Sequence, residues 1–210
     1  MPPFSFLYPM SDALILFVRK PEKGKVKTRI ASTEGEEVAL KIYNKLLTHT
    51  HQITAPLPCK KYVFYAGAIE EDDIWTAGYN KLMQADSDLG SRMKTAFEQL
   101  FEKGHNRICI IGSDCYQLDT VIIEQAFKKL SDHDVVVGPA HDGGYYLLGM
   151  KGGLKDVFQN IEWSTEKVLQ QTIVQLTEKN NSFSLLPMLH DVDTVNEIPH
   201  PWKKELGIQQ

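Results

Sequence analysis

The sequence is poor in the features that mark several large protein classes. Its 210 residues contain three cysteines, Cys59, Cys109 and Cys115, which cannot all pair and show no CxxC spacing. A disulfide scaffold or a clustered-cysteine zinc site is therefore not expected, and a reducing cytoplasm is the expected compartment. No run approaches the roughly 20 apolar residues of a membrane helix. Met1 to Met10 lacks a basic start and a long apolar stretch, so no signal peptide is expected. There is no excess of positive charge: 23 Lys+Arg stand against 27 Asp+Glu, a net of -4. A broad nucleic-acid-binding face is not expected from that balance. No GxxxxGK[ST] and no GxGxxG follows a strand pattern, which argues against a P-loop NTPase and a dinucleotide-binding domain.

What is present is an ordinary globular composition, 42% hydrophobic and 24% charged, with one strong local bias. Arg19 to Arg29, RKPEKGKVKTR, carries six positive residues and one negative, so the rest of the chain holds the opposite sign. A compact cation cluster on an acidic protein suits a small anion, although a solvated loop has the same composition.

Apolar strings alternate with helical spacing. Ala13–Val18, Tyr62–Ala66, Lys81–Gln84, Ile108–Ile111, Asp134–Val137, Tyr145–Met150 and Phe183–Leu186 read as strands. A T-x-x-E capping box at Thr33 and Glu36 precedes a helical pattern through Leu47. Leu89–Phe101 reads as a helix stopped by Gly104, Asp119 as the cap of the helix through Leu130, and Ser164 as the cap of a helix over Thr165–Leu176. This alternation predicts a three-layer α/β/α domain on a mostly parallel, mixed sheet. Residues 1–210 form one unit in this reading, with 151–182, including Gly152 and Gly153, as a small excursion that returns near Phe183.

In such sheets ligands bind beyond the carboxyl ends of the strands, so those positions carry the chemistry. The basic loop follows the first strand, with Gly24 in its turn and Lys25, Lys27 and Arg29 as phosphate-binding candidates. Gly112-Ser113-Asp114 follows the Ile108 strand. Asp114 can face bound phosphates only across a cation, and Mg²⁺ is commonly held by one or two carboxylates plus phosphate oxygens. A turn residue is the plainer alternative for a lone Asp. Asp191 and Asp193 fall on one side of an extended segment, and Asp193 or Thr194 can also cap a short final helix. Asp142-Gly143-Gly144 is turn chemistry, followed by Tyr145 and Tyr146. Cys115 has no base beside it in sequence and reads as a packing residue.

RKPEKGKVKTRIA, QADSDLGSRMKTAF, IIGSDC, VVGPAHDGGYYLLG, IEWST and HDVDT occur in this order along the chain. Together they resemble the DUF2064 family, the "transferase 1" group sometimes found with radical-SAM and selenium-related proteins. The resemblance implies the GT-A fold of the nucleotide-diphospho-sugar transferase superfamily, and a glycosyltransferase-like activity on a nucleotide-activated donor and a small polar or phosphorylated acceptor. It implies that Asp114 and Asp193 hold a divalent metal, Mg²⁺ or Mn²⁺. It implies that Lys20, Gly24, Lys25, Lys27 and Arg29 wrap the nucleotide phosphates, with Ser113, Gln84, Gly90 and Arg92 on the nucleotide side. Gly143, Gly144, Tyr145, Trp163, Ser164 and Thr165 are implied on the acceptor side, with Asp142 or His141 as a base. One departure stands out. Many GT-A glycosyltransferases carry Asp-x-Asp, whereas Ser113-Asp114-Cys115 has a single aspartate. The basic loop is similar to that of nucleotidyltransferases, including molybdopterin and phospholactate guanylyltransferases, so transfer of a nucleotidyl group from a triphosphate is the alternative. A nucleotide-binding protein without turnover is a third.

Overall fold

A computed structural model describes residues 11–152, 154 and 157–208. The expectations that touch Met1 to Met10 and Gly153 lie outside the described residues. Seven strands form one sheet: β1 (Asp12–Arg19), β2 (Lys60–Ala66), β3 (Tyr79–Met83), β4 (Arg107–Ile111), β5 (Val135–Pro139), β6 (Tyr145–Lys151) and β7 (Phe183–Leu185). Their order is β3-β2-β1-β4-β6-β5-β7. All neighbours run parallel except β6, which is antiparallel to both β4 and β5. The physical reason lies between β5 and β6. The Asp142-Gly143-Gly144 turn reverses the chain at once, leaving no room for the crossover that a parallel pair requires.

Both faces of the sheet are covered. Along β1, Leu14, Leu16 and Val18 enter one apolar cluster with Tyr43, Leu47, Ile123 and Phe127. Ala13 and Ile15 enter another with Met93, Phe97, Leu100 and Leu176. Helices α2 (Glu36–Thr54) and α4 (Thr120–Lys129) therefore cover one face, and α3 (Leu89–Glu102) and α5 (Val168–Glu178) the other. A strand buried on both sides cannot alternate polar and apolar residues, which is why β1 reads as ALILFV. This is the expected α/β/α architecture on a mixed, mostly parallel sheet.

Two helix starts differ from the sequence expectation. Thr33 lies inside α1 (Thr28–Glu34) and donates its hydroxyl to the Ile30 carbonyl at 3.1 Å. Gly35, at φ 85°, separates α1 from α2 and takes the cap position without a side chain, so Thr33 and Glu36 make no capping box. Likewise α5 starts at Val168, and Ser164 adopts a left-handed conformation instead of capping it. The neighbouring Thr165 hydroxyl donates to the Glu162 carbonyl at 2.7 Å and ties that turn. A true capping box forms at Thr194 and Glu197, at the start of a 3₁₀ turn before α6 (His200–Leu206). Asp119 caps α4 as expected, and Asp88 caps α3.

A third apolar cluster joins Ile30 of α1 and Ile42 of α2 to Val192, Ile198 and Ile208 near the C-terminus. It docks the end of the chain beside the start of α1, which brings the ends of two distant segments to one rim.

Candidate active site

The order of the strands creates the site. The chain goes from β1 outward to β2 and β3, then returns to place β4 on the other side of β1. Leu16 pairs with Ile111, so the segments that follow β1 and β4 leave the sheet as neighbours. A reversal of this kind opens a crevice at the carboxyl ends of the strands. A cavity of about 550 Å³ lies there, with walls from the basic loop, the β4 exit, α3 and the Asp191–Asp193 segment.

At its centre, the Lys27 ammonium lies 2.7 Å from Asp114 Oδ1 and 3.0 Å from Asp193 Oδ1. Lys27 is a non-glycine residue at φ 47°, ψ 48°, in the position that precedes α1. Burial alone would lower its pKa, but the two carboxylates more than offset this and hold it above the usual lysine value. Asp193 arrives there because Val192 is 2% exposed and anchored in the third cluster, which turns its two neighbours toward the cavity. A backbone bond from Val192 N to the Asp114 carbonyl, 2.9 Å, fixes the two segments together. Asp191 also lines the cavity. Burial first, then the charges of Asp114, Asp142 and Asp193, push its pKa up to about 7, with Lys27 opposing.

Nine of the residues expected at the site line this cavity: Lys25, Lys27, Arg29, Gln84, Arg92, Ser113, Asp114, Tyr145 and Asp193. Gln84 donates its amide to the carbonyls of Phe64 (2.9 Å) and Val18 (3.4 Å), tying the exits of β1 and β2 into one wall. The Nε of Arg92 donates to the Ser87 carbonyl at 2.6 Å, which holds the guanidinium over the cavity.

The others are placed outside the lining. Lys20 turns away to Glu70, at 2.7 Å. Gly24 shapes the loop turn, with the Glu36 carboxylate where a side chain would begin. Gly90 faces Trp163, and a Cβ there would stand 2.1 Å from the indole, so both residues serve the packing of the 157–167 segment on α3. Gly143 is pressed against the backbone of Glu166, and its carbonyl accepts the Leu169 N–H at 2.8 Å. The segments that carry Asp142–Gly144 and Ser164–Thr165 therefore clasp each other next to the cavity. Asp142 is exposed and accepts the Gly144 N–H at 2.9 Å, closing the turn. His141 stacks on His190 with ring centres 3.6 Å apart.

The cavity is also lined by residues to which the sequence pattern assigns no role, among them Arg19, Tyr43, Tyr146 and Asp191. Tyr43 sits in α2, and its hydroxyl is bonded to both the N–H and the carbonyl of Arg19. Nothing in the local sequence signals that contact. Arg19 and Asp191 do have a signal, since each ends a motif whose other members were selected. Cys115 is buried and its thiol is pushed up to about 12, burial being the main cause, so it is held protonated rather than nucleophilic.

The donor set suits a hard divalent cation. Asp114 and Asp193 are within reach of one ammonium and offer only oxygen, the ligand type that Mg²⁺ and Mn²⁺ prefer. Among the described residues no group of three or more His, Cys, Asp or Glu is arranged to hold a metal on its own. A cation here would complete its shell with water or phosphate oxygens.

A profile of the family described as "Uncharacterized protein conserved in bacteria (DUF2064)" matches residues 49–165, more than half of the chain. A crystal structure of a provisionally assigned nucleotide-diphospho-sugar transferase from Desulfovibrio desulfuricans G20 is 32% identical, with a TM-score of 0.82 over 89% of this chain and 84% of that one. Two further structures share the fold alone. The inositol-1-phosphate CTP transferase from T. maritima is 10% identical, TM-score 0.58, over 95% of this chain and 96% of that one. A cytidylyltransferase from Leptospira borgpetersenii is 13% identical, TM-score 0.54, over 89% and 82%. No curated protein matches the chain in sequence. No described helix is long and apolar enough to cross a membrane. The chain belongs to the DUF2064 family and has the fold shared by nucleotide-diphospho-sugar transferases and cytidylyltransferases.

Proposed function

We propose that the chain is a transferase that holds a nucleotide by its phosphates between the basic loop and the Asp114–Asp193 pair, with Mg²⁺ or Mn²⁺ between carboxylates and phosphates. The observation that carries this reading is the convergence of Lys27 with both aspartates at the β1–β4 rim. When bound, the ion would neutralise phosphate oxygens and favour the charge that builds on the leaving group. The chain's own residues do the rest. Arg29 and Arg92 present guanidinium forks that suit phosphate oxygens, and Lys25 and Lys27 supply point charges. Arg92, held by the Ser87 carbonyl before substrate arrives, can stabilise developing charge without reorganising.

Nucleotidyl transfer is the reaction that the charges favour. Arg19, Lys25, Lys27, Arg29 and Arg92 surround the cavity against Asp114, Asp191 and Asp193, two of which belong to the cation. That surplus suits a nucleoside triphosphate together with a phosphorylated acceptor. An acceptor phosphate oxygen attacks the α-phosphorus, the bond to the β-phosphate oxygen breaks, and pyrophosphate leaves. The attacking oxygen is already ionised, so no base is required. The single aspartate in Ser113-Asp114-Cys115 agrees with this. Glycosyl transfer is the second reading, favoured by the 32% identical relative. There an acceptor hydroxyl attacks the sugar carbon, a nucleoside diphosphate leaves, and the hydroxyl proton needs a base. Residues 151–182 would then form the acceptor side of one GT-A-like domain, with Tyr145 at the boundary. The nucleotide, or nucleotide sugar, and a small acceptor are the partners of either reaction.

The test is a panel of nucleoside triphosphates and nucleotide sugars, each with Mg²⁺ or Mn²⁺, read as a shift in melting temperature. Triphosphates should stabilise the protein, and Asp114→Ala should lose most of the gain. Stabilisation by nucleotide sugars alone would remove the nucleotidyl reading. Stabilisation undiminished in Asp114→Ala would remove Asp114 from the site. Pyrophosphate release that depends on an added acceptor would eliminate the passive binder.

A further inference from the structure

We propose that the Lys27 ammonium is an internal stand-in for the divalent cation: in the ligand-free protein it occupies the metal's carboxylate oxygens, and it gives them up when nucleotide phosphate arrives to receive it. This rests on the reading above, that Asp114 and Asp193 hold the ion.

Lys27 Nζ contacts Oδ1 of both aspartates, at 2.7 and 3.0 Å. Its side chain is 5% exposed, whereas those of Asp114 and Asp193 are 45% and 39% exposed. The lysine thus sits beneath the pair and the carboxylates face the cavity. A hard dication binds oxygen at about 2.1 Å, closer than an ammonium does, so the two cannot share the same oxygens. Both are positive, so each opposes the other's presence between the carboxylates. Lys27 itself lines the cavity, and its long side chain can exchange carboxylate for phosphate by rotation of its own torsions. A left-handed lysine is uncommon, and here the following helix and the two ion pairs hold it.

Metal entering alone must displace the ammonium into the cavity with no phosphate to meet it. Metal entering with nucleotide exchanges one set of ion pairs for another. Metal and nucleotide are therefore coupled, and by linkage each strengthens the other by the same factor. Lys25 is the natural control. It lines the same cavity, but its partner is Glu22, at 2.5 Å, and it touches neither aspartate. In this role Lys27 is a positioning residue, whatever it later does for phosphate.

The test is binding of Mn²⁺ alone, measured by electron paramagnetic resonance of the free ion, to wild type, Lys27→Met and Lys25→Met. Lys27→Met should bind Mn²⁺ about tenfold or more tightly than wild type, within the usual range of coupling factors, and Lys25→Met should stay within about twofold. No gain in Lys27→Met, or an equal gain in Lys25→Met, overturns the proposal. Adding Asp114→Asn to Lys27→Met should abolish the gain. A gain that survives Asp114→Asn shows that the ion sits elsewhere, and then the metal assignment itself fails. If Lys27→Met does not fold, Lys27→Gln takes its place under the same criteria.

Discussion

Leu16 of β1 and Ile111 of β4 are register partners in adjacent parallel strands. The residues that follow them, Arg19 to Arg29 on one side and Gly112 to Asp114 on the other, must therefore emerge side by side. The first prediction concerns the end of the second segment. Asp114→Asn removes a carboxylate from the charged centre and leaves Lys27 with Asp193 alone. Loss of one preorganised electrostatic element costs about 2.7–4 kcal/mol in the barrier, so kcat should fall about 10²–10³-fold. Pyrophosphate release or nucleoside diphosphate release under saturating substrate checks it, and a fall below tenfold would place Asp114 outside the reaction centre.

Arg29 is exposed on the cavity rim, and no ion pair to it is found among the described residues. Its removal should leave the ligand-free protein unchanged in stability and weaken nucleotide binding. A charge-assisted hydrogen bond is worth about 1.5–3 kcal/mol, so Arg29→Ala should raise the nucleotide Kd about 10–100-fold. Calorimetric titration measures the affinity, and an unchanged Kd would show that the guanidinium does not meet phosphate.

Gly90 and Trp163 form a contact that a methyl group would destroy, since a Cβ would lie 2.1 Å from the ring. Gly90→Ala should destabilise the protein by about 1–3 kcal/mol through overpacking. In a Trp163→Leu background the same change should cost less, because the obstructing ring is gone. Urea denaturation of the four proteins gives the cycle. Additive costs would mean that the two residues act independently.

Asp191 predicts a pH dependence. Its carboxyl is raised from the ordinary 3.8 to about 7, mainly by burial and then by its acidic neighbours. A group with a raised folded pKa favours the folded state below the unfolded value, and that contribution disappears as pH rises through the folded value. The ligand-free protein should lose roughly 1–3 kcal/mol from this residue between pH 5 and pH 8. Asp191→Asn cannot ionise and should be the more stable protein at pH 8, with a smaller advantage at pH 5. Melting temperatures of both proteins across this range test the idea; a constant difference would show that Asp191 does not titrate there.

The strands and most helices could be read from local pattern, because burial on both faces forces apolar runs such as Ala13–Val18, and capping needs a short polar residue such as Asp119. The helix starts near Thr33 and Ser164 could not, because glycine geometry at Gly35 and a left-handed turn at Ser164 overrode the cap signals. The strand-end placement of Asp114 and the basic loop was legible, since strand ends can be recognised one at a time. Their partners were not. Tyr43 reaches Arg19 from the middle of α2, and Trp163 covers Gly90 across more than 70 residues of chain.

The amino-acid sequence by itself determined which segments become strands and which residue types stand at their ends, because hydrophobic period and turn chemistry act over a few neighbours. Only the tertiary structure decided which of those ends meet. The return of β4 to the side of β1, and the burial of Val192 against Ile30, set Lys27 between Asp114 and Asp193. Packing between distant segments sets distances of that kind, and no local pattern encodes them.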